Sequence, residues 1–558
     1  MLLASGGVLL AVPAVSLAQS AAASSPAREK ATLPREIPPL PKPPVTVTFE
    51  EQLAGRKRLY AARDAARQSA AVSYRVESVN LTVRDGKPVG KPLQISETGK
   101  LEPINNRIAI TTEYHSAPIT QIRRAIASDG VLLTTRYVAR EGDKKPPVRE
   151  AGRVAVDSVM PLERAVAVSG FRPNAIVARW VIEEDLPQLG YSLIWRSDAS
   201  TVLEYSRSSD ERRKRTTVAA RRYTMDPQNN RLIRFEEWQQ TEEPADKENT
   251  RRRTQTEYEQ TVYTAWNPVE KPFPAETFAQ TLPATYEFKE VPRQDRTLPP
   301  IPTDADPRAL ALLERWRQVD NRWLSLRLEA EQQFRMIPRT EASRPIREEY
   351  SNVLTRFSVQ AQRHGKTRLQ VNRLQGGSDR DPKNLVVVSD GSTLRALNQV
   401  TGDVRSRNID NPDRLWREID RARVEDYGAL RWIYDDPPRP YEFEQIAYEG
   451  PAMTPEGEKV EVVRLVELDV ERSRRRRRTT EEQEFTRIAF GSDGLPRWIE
   501  QVRREDIQGA FERDNPPIIA VLTRFRNVSV DLPPTQTAFQ LPALPSPQPA
   551  TENSRRRD

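Results

Sequence analysis

Between Leu324 and Glu331 the chain alternates strictly, with Leu324, Leu326, Leu328 and Ala330 interleaved with Ser325, Arg327, Glu329 and Glu331. A period of two sends successive side chains to opposite faces, so the stretch predicts a half-buried strand with one wet face. Tyr74 and Val76 begin a similar strand, and Val79, Leu81 and Val83 continue it in shifted phase, which predicts a bulge between the two sets. Further strands are predicted at 107–110, 176–182, 191–195, 202–205, 218–224, 232–239 and 258–263, and later at 357–361, 369–371, 460–470, 484–490, 498–502 and 521–530. Helical spacing predicts a helix over 49–69, carrying Leu53, Leu59 and Tyr60, and another over 154–168 on both sides of Pro161. Asp306-Pro307 opens a third with an N-cap residue followed by proline in the first turn, and Leu312, Trp316, Val319 and Trp323 lie along one face of it. Asn411-Pro412 starts a fourth, carrying Leu415, Ile419 and Ala422.

The pattern is densest in LVVVSDGSTLRALNQVTGDVRSR, residues 385–407, a β-meander turned at Ser389-Asp390-Gly391 and again at Thr401-Gly402-Asp403. Ser128-Asp129-Gly130 has the same layout earlier in the chain. RRKRTT at 212–217 answers RRRRTT at 475–480, Leu232 to Phe235 answers Leu495 to Trp498, and Thr277-Phe278 before Leu282-Pro283 answers Ala538-Phe539 before Leu541-Pro542. Four echoes in one order, at an offset of about 260 residues, predict a tandem duplication. The expected divisions are a signal peptide at 1–23, a Pro/Ala-rich linker at 24–47, one domain at 48–284, a linker at 285–305, a second domain at 306–543 and a tail at 544–558 whose composition predicts disorder.

Composition sharpens this picture. Of 558 residues, 37% are hydrophobic, 30% charged and 46 are proline, which predicts thin cores joined by long irregular connections. Val8 to Val15 is a short apolar run followed by Ser16-Leu17-Ala18, a small-x-small cleavage pattern, so export to the periplasm or cell envelope is expected. No Lys or Arg precedes Arg28, which leaves room for a start further upstream. The net charge of +8 favours anionic partners, with lipid head groups, lipopolysaccharide and nucleic acid open on charge alone. Cysteine is absent, which removes disulfides, thiolate metal sites and thiol catalysis together.

Candidate chemistry is sparse. His115 and His364 are the two histidines, and neither has a partner at metal-ligand spacing. Gly365-Lys366-Thr367 imitates the end of a P-loop, but Gln360 stands where glycine is required. Asp-Gly is the pair a tight hairpin needs, so Asp129 and Asp390 read as turn residues rather than catalytic acids. Carboxylates such as Glu183, Glu184 and Asp185 form no isolated pair, and no catalytic residue or cofactor is predicted. The arginine runs sit between strands, as solvated hairpin tips or as contacts for an anionic surface through Arg212, Arg213, Arg475 and Arg476.

Each half thus reads as a helix, several antiparallel strands, the Ser-Asp-Gly meander, a helix and more strands. In that order the chain resembles the LolA/LolB-type lipoprotein carriers and the related RseB-type regulators. The resemblance lies in residues 106–110 before Ser128-Asp129-Gly130, in 355–359 before Val388 to Leu394, and in the Asp493-Gly494-Leu495-Pro496-Arg497 hairpin. It implies a mainly β (α+β) fold, two tandem antiparallel unclosed half-barrels each wrapped around a few helices. It also implies a non-catalytic carrier whose hollow holds an acyl chain, a lipid or a lipoprotein; an anionic membrane surface is a candidate partner through the arginine runs, and nucleic acid is not expected. LolB-type members carry a lipid-modified cysteine that this chain lacks. The residues expected to meet the ligand are Leu324, Leu326, Leu328, Trp316, Leu415 and Ile419. An envelope sensor or scaffold of RseB-like type, with filled barrels and protein partners, is the alternative.

Overall fold

In the computed structural model, Thr48 caps the first helix, α1 (Phe49–Gln68): its Oγ1 accepts from Glu51 N at 3.2 Å while the Glu51 carboxylate accepts from Thr48 N at 2.8 Å. The structure describes residues 34–542 except 106, 117–119, 131, 142–147, 157–161, 163–164, 167–168, 170, 183–191, 211–214, 244–252, 270, 280–286 and 291–301 in the first half. In the second half the exceptions are 303, 321, 338–354, 364, 375–383, 410–414, 416–418, 420–427, 434–436, 439, 468–484, 505–517 and 536. The expected signal peptide, the tail and the four arginines at 212, 213, 475 and 476 lie outside the described residues.

The fold is mainly β, two unclosed sheets and few helices. The first begins with β1 (Ala71–Arg84), β2 (Lys87–Pro88), β3 (Leu93–Glu102), β4 (Arg107–Ser116), β5 (Thr120–Ser128), β6 (Leu132–Glu141) and β7 (Val148–Ala155). After a short helix, α2 (Ile176–Ile182), come β8 (Leu193–Arg196), β9 (Thr201–Asp210), β10 (Arg215–Met225), β11 (Leu232–Glu243), β12 (Arg253–Val269) and β13 (Glu287–Glu290). The sheet runs β13-β7-β6-β5-β4-β3-β1-β12-β11-β10-β9-β8, antiparallel except where β13 joins β7 in parallel.

The second follows α3 (Pro307–Asp320) and contains β14 (Ser325–Ile337), β15 (Thr355–Gln362), β16 (Lys366–Arg373), β17 (Asn384–Asp390), β18 (Thr393–Asn398) and β19 (Val404–Asn408). It closes its sequence with β20 (Phe443–Met453), β21 (Lys459–Glu467), β22 (Phe485–Phe490), β23 (Pro496–Arg504) and β24 (Ile518–Val530). Its order, β19-β18-β17-β16-β15-β14-β24-β23-β22-β21-β20, matches the first sheet from β7 to β8 position for position. In the first sheet β1 pairs with β12, as β14 pairs with β24 in the second, and meanders run outward on each side. Gly130 and Gly391, each at φ 97°, turn the chain at equivalent points, and each donates its N–H to the hydroxyl of the serine two residues before it. Asp390 is committed to that turn, accepting from the N–H groups of Ser392 and Thr393 at 2.8 Å.

Three local expectations change. Residues 176–182 form α2 rather than a strand, because nearly every side chain of IVARWVI is buried and no period is left to read. Over 154–168, Val154 and Ala155 finish β7, and the described helical residues Leu162, Ala165 and Val166 all follow Pro161. The phase change in β1 is not a bulge between Val76 and Val79: the register shifts at Arg75/Val76. Val79 and Leu81 face the back of the sheet, where they pack with Ala220, Trp238 and Tyr258 against Ile37 and Leu40 of the Pro-rich segment. Trp238 Nε1 donates to Pro38 O at 2.9 Å, so this segment ties down a second apolar face.

Candidate ligand-binding hollows

Each sheet turns one apolar face inward. In the first half that face carries Val72, Tyr74, Val76, Leu101, Ile108 and Ile110, packed against residues of α1 and α2. Set into it is Glu97, fully buried. Its carboxylate accepts from Tyr74 Oη and Thr112 Oγ1, both at 2.9 Å, from Asn174 N at 2.8 Å and Nδ2 at 3.1 Å, and from Ala175 N at 3.1 Å. The last backbone donors lie just before α2, so one buried anion pins that helix to the sheet. Tyr74 reaches Glu97 across Gly99, its cross-strand partner: a Cβ there would meet the Tyr74 ring at 2.2 Å. Burial, and then the Glu97 charge, push the Tyr74 phenol well above its ordinary range.

Toward β8 the same face turns ionic. Arg221 pairs with Glu237 at 2.8 Å and Glu204 at 3.6 Å, and Tyr223 Oη donates to Glu204 at 2.8 Å. Arg179 of α2 approaches Glu259 at 3.3 Å and Glu237 at 3.9 Å. Burial would raise the Glu237 carboxyl, but Arg221 and Arg179 hold it below the usual range; burial prevails at Glu259, which is raised.

The second hollow differs. Leu326, Leu328, Trp316, Leu415 and Ile419 fall in one buried apolar cluster with Val359, Leu369, Val463 and Phe525. Leu324 is fully buried too, but it precedes β14 and lies outside that cluster; its N–H donates to Asp531 Oδ1 at 2.7 Å. The sheet sets Leu326 opposite Ala361, Leu328 opposite Val359 and Ala330 opposite Phe357, an apolar ladder. Over it, Trp316 meets Phe490 with ring centroids 5.4 Å apart and Trp432 at 6.0 Å, and Trp432 meets Phe525 edge-on at 5.9 Å. At the end of α3, Asp320 accepts from Trp323 Nε1 at 3.0 Å and from Arg363 at 2.9 Å, while the guanidinium lies 3.7 Å from the Trp323 ring centroid. Two of the predicted stripe residues, Leu312 and Val319, are only partly buried; the inward face of α3 runs through Ala309, Leu313, Trp316 and Asp320 instead.

Both hollows hold polar atoms that this packing leaves unsatisfied. The indole N–H groups of Trp180 and Trp266 in the first, and of Trp316 and Trp432 in the second, are buried without a hydrogen-bond partner among the described residues. Each such donor costs about 1–3 kcal/mol. The sequence marks Trp316 as a lining residue but shows nothing of the unpaired donors, nor of the roles of Glu97, Glu204 and Glu237. A glycine inside the alternating stretch, Gly99, was the available signal for the first.

At the ionic end of the first hollow a groove of about 740 Å3 lies between the Pro-rich segment and β9, β10 and β11, lined by Pro44, Tyr205, Ser208, Arg221, Glu237 and Lys366. Among the described residues no group of three or more His, Cys, Asp or Glu is placed to hold a metal ion, and no helix is long and apolar enough to cross a membrane. His115 lies half-buried on β4, and His364 is outside the described residues.

No family model matches the chain, and no curated protein matches it. Solved structures similar to parts of it include the lipoprotein LppX of Mycobacterium tuberculosis, 8% identical, with 40% of this chain and 96% of that one covered at a TM-score of 0.23. A DUF1329 family protein from Desulfovibrio piger is 11% identical, with 44% of this chain and all of that one covered at a TM-score of 0.20. Scores this low carry no argument, and the functional reading rests on the chain's own residues.

Proposed function

We propose that the chain is an exported, non-catalytic binding protein of the LolA/LolB-like carrier type, whose inward apolar faces shelter an acyl chain of a lipid or lipoprotein in the periplasm or cell envelope. The observation that carries this reading is how the second hollow is covered. A curved sheet with one apolar face buries it under helices or under a ligand, and the gain per methylene is about 0.8 kcal/mol either way. Here the described covering residues Leu415 and Ile419 reach the sheet through apolar contacts within one cluster. A cover held in that way exchanges for an acyl chain of equal apolar area at little cost. The matching strand orders of the two sheets support a duplication of one such unit, the first copy reaching past the expected boundary at 284, since β13 at Glu287–Glu290 joins its sheet.

The close aromatic packing of Trp316, Trp432, Phe490 and Phe525 favours the second reading, an envelope sensor or scaffold with filled barrels. Native mass spectrometry and solvent extraction of protein purified from the envelope without detergent separate the two. Co-purified acyl species, or uptake of a fluorescent fatty acid that weakens in Leu328→Ala, support the carrier. Neither bound lipid nor uptake leaves the scaffold.

A further inference from the structure

Trp316 on α3 and Trp432 on the 3-10 turn Gly428–Ile433 are both more than nine-tenths buried, with ring centroids 6.0 Å apart. Neither indole N–H has a partner among the described residues. An indole nitrogen only donates, so no rearrangement of its own protons relieves it. The first hollow holds a similar pair, Trp180 and Trp266. Two other buried indoles behave differently: Trp238 donates to Pro38 O and Trp323 to Asp320, each at a well-formed distance. Trp323 shares the second inward cluster with Trp316 and Trp432 but has Asp320 as its acceptor; for the four indoles without one, a ligand of hydrocarbon alone would leave them as they are and one bearing carbonyl oxygens would satisfy them.

We propose that Trp316 and Trp432 are the donors that recognise the carbonyl oxygens of the bound acyl group, and that the second hollow takes acyl esters or amides in preference to plain hydrocarbon. This rests on the acyl-binding reading above and adds the polar part of the ligand to it.

The test uses the full chain after delipidation, offered methyl hexadecanoate and heptadecane from cyclodextrin, with retention measured by extraction and mass spectrometry. The ester is expected to bind about tenfold more tightly or better, a difference of about one hydrogen bond. In the double variant Trp316→Phe, Trp432→Phe, which keeps aromatic rings in the cluster, ester binding falls to the level of the alkane while alkane binding stays within about twofold. Equal binding of ester and alkane by the unmodified chain overturns the inference without any variant, and also accounts for the donors as water-bound. A double variant that folds and keeps the ester preference overturns it as well. Retention of neither ligand sinks the acyl-binding reading itself, and this inference with it.

Discussion

The two sheets share a strand order and differ in what they bury. At the pair β1–β3 the first sheet sets Tyr74 opposite Gly99 so that a phenol can reach a buried carboxylate, whereas β14–β15 sets Leu328 opposite Val359. The first hollow's helix α2 is fixed at one end by Glu97 and along its length by Arg179 with Glu237 and Glu259. The second hollow's described cover makes apolar contacts. Hydrogen-bonded buried charge is directional and costly to separate, while apolar contact is neither. One topology therefore yields a half whose helix is locked by buried polar groups and a half whose described cover is held by apolar contact, and the proposed ligand exchange belongs to the second.

The largest expected effect tests the lock. Glu97→Ala removes the acceptor of Tyr74, Thr112, Asn174 and Ala175 at once. It should destabilise the first half by about 3–5 kcal/mol, read as a lowered urea midpoint. A loss under about 1 kcal/mol would mean that α2 is held by packing, like the cover of the second half, and the contrast would fail. Next, Leu328→Ala opens space in the apolar ladder and should cost about 2–4 kcal/mol. If the second hollow exchanges its cover for a ligand, added fatty acid should restore part of that loss by mass action, and no equivalent rescue should follow Glu97→Ala.

Much of the sheet was legible because period-two alternation survives wherever one face is wet: β14, with Leu326, Leu328 and Ala330 inward, is read directly from its residues. What escaped reading escaped for physical reasons. IVARWVI shows no period because the helix it forms is buried nearly all round, and its β-branched residues argued for a strand. Glu97 occupies an inward position between Ile95 and Leu101, where a charged residue reads as a break in the pattern unless its donors, far away at Thr112 and Asn174, are known. Leu415 and Ile419 were found from helical spacing alone, yet nothing in that spacing tells a cover from an ordinary core helix. The back-face packing of Ile37 and Leu40 lay hidden in a proline-rich run whose composition suggests a linker.

That back face gives a smaller test. Trp238→Phe keeps the ring against Tyr258, 5.0 Å away, and removes the hydrogen bond to Pro38. The expected cost is about 1 kcal/mol, with faster proteolysis at residues 34–45 and an unchanged first hollow. Loss of the inward packing together with the strap would join the two faces of the first sheet into one cooperative unit and blur its contrast with the second.

The smallest effect is electrostatic, and its sign distinguishes two glutamates that share Arg179. Glu237 has a folded pKa below its ordinary 4.5 because Arg221, at 2.8 Å, and Arg179 outweigh burial. Its contribution to stability is present above that ordinary value and is lost as pH falls through the lower, folded one. Glu259 is nearer to Arg179, yet burial and the neighbouring Glu237 charge raise it. Its contribution is present below the ordinary value and is lost as pH rises through the folded one. Urea midpoints measured across the acid range should therefore show a flatter acid limb for Glu237→Gln and a steeper one for Glu259→Gln. A shift of both in the same direction would mean that Arg179 does not divide its charge unequally between them, and the ionic end of the first hollow would be held by Arg221 alone.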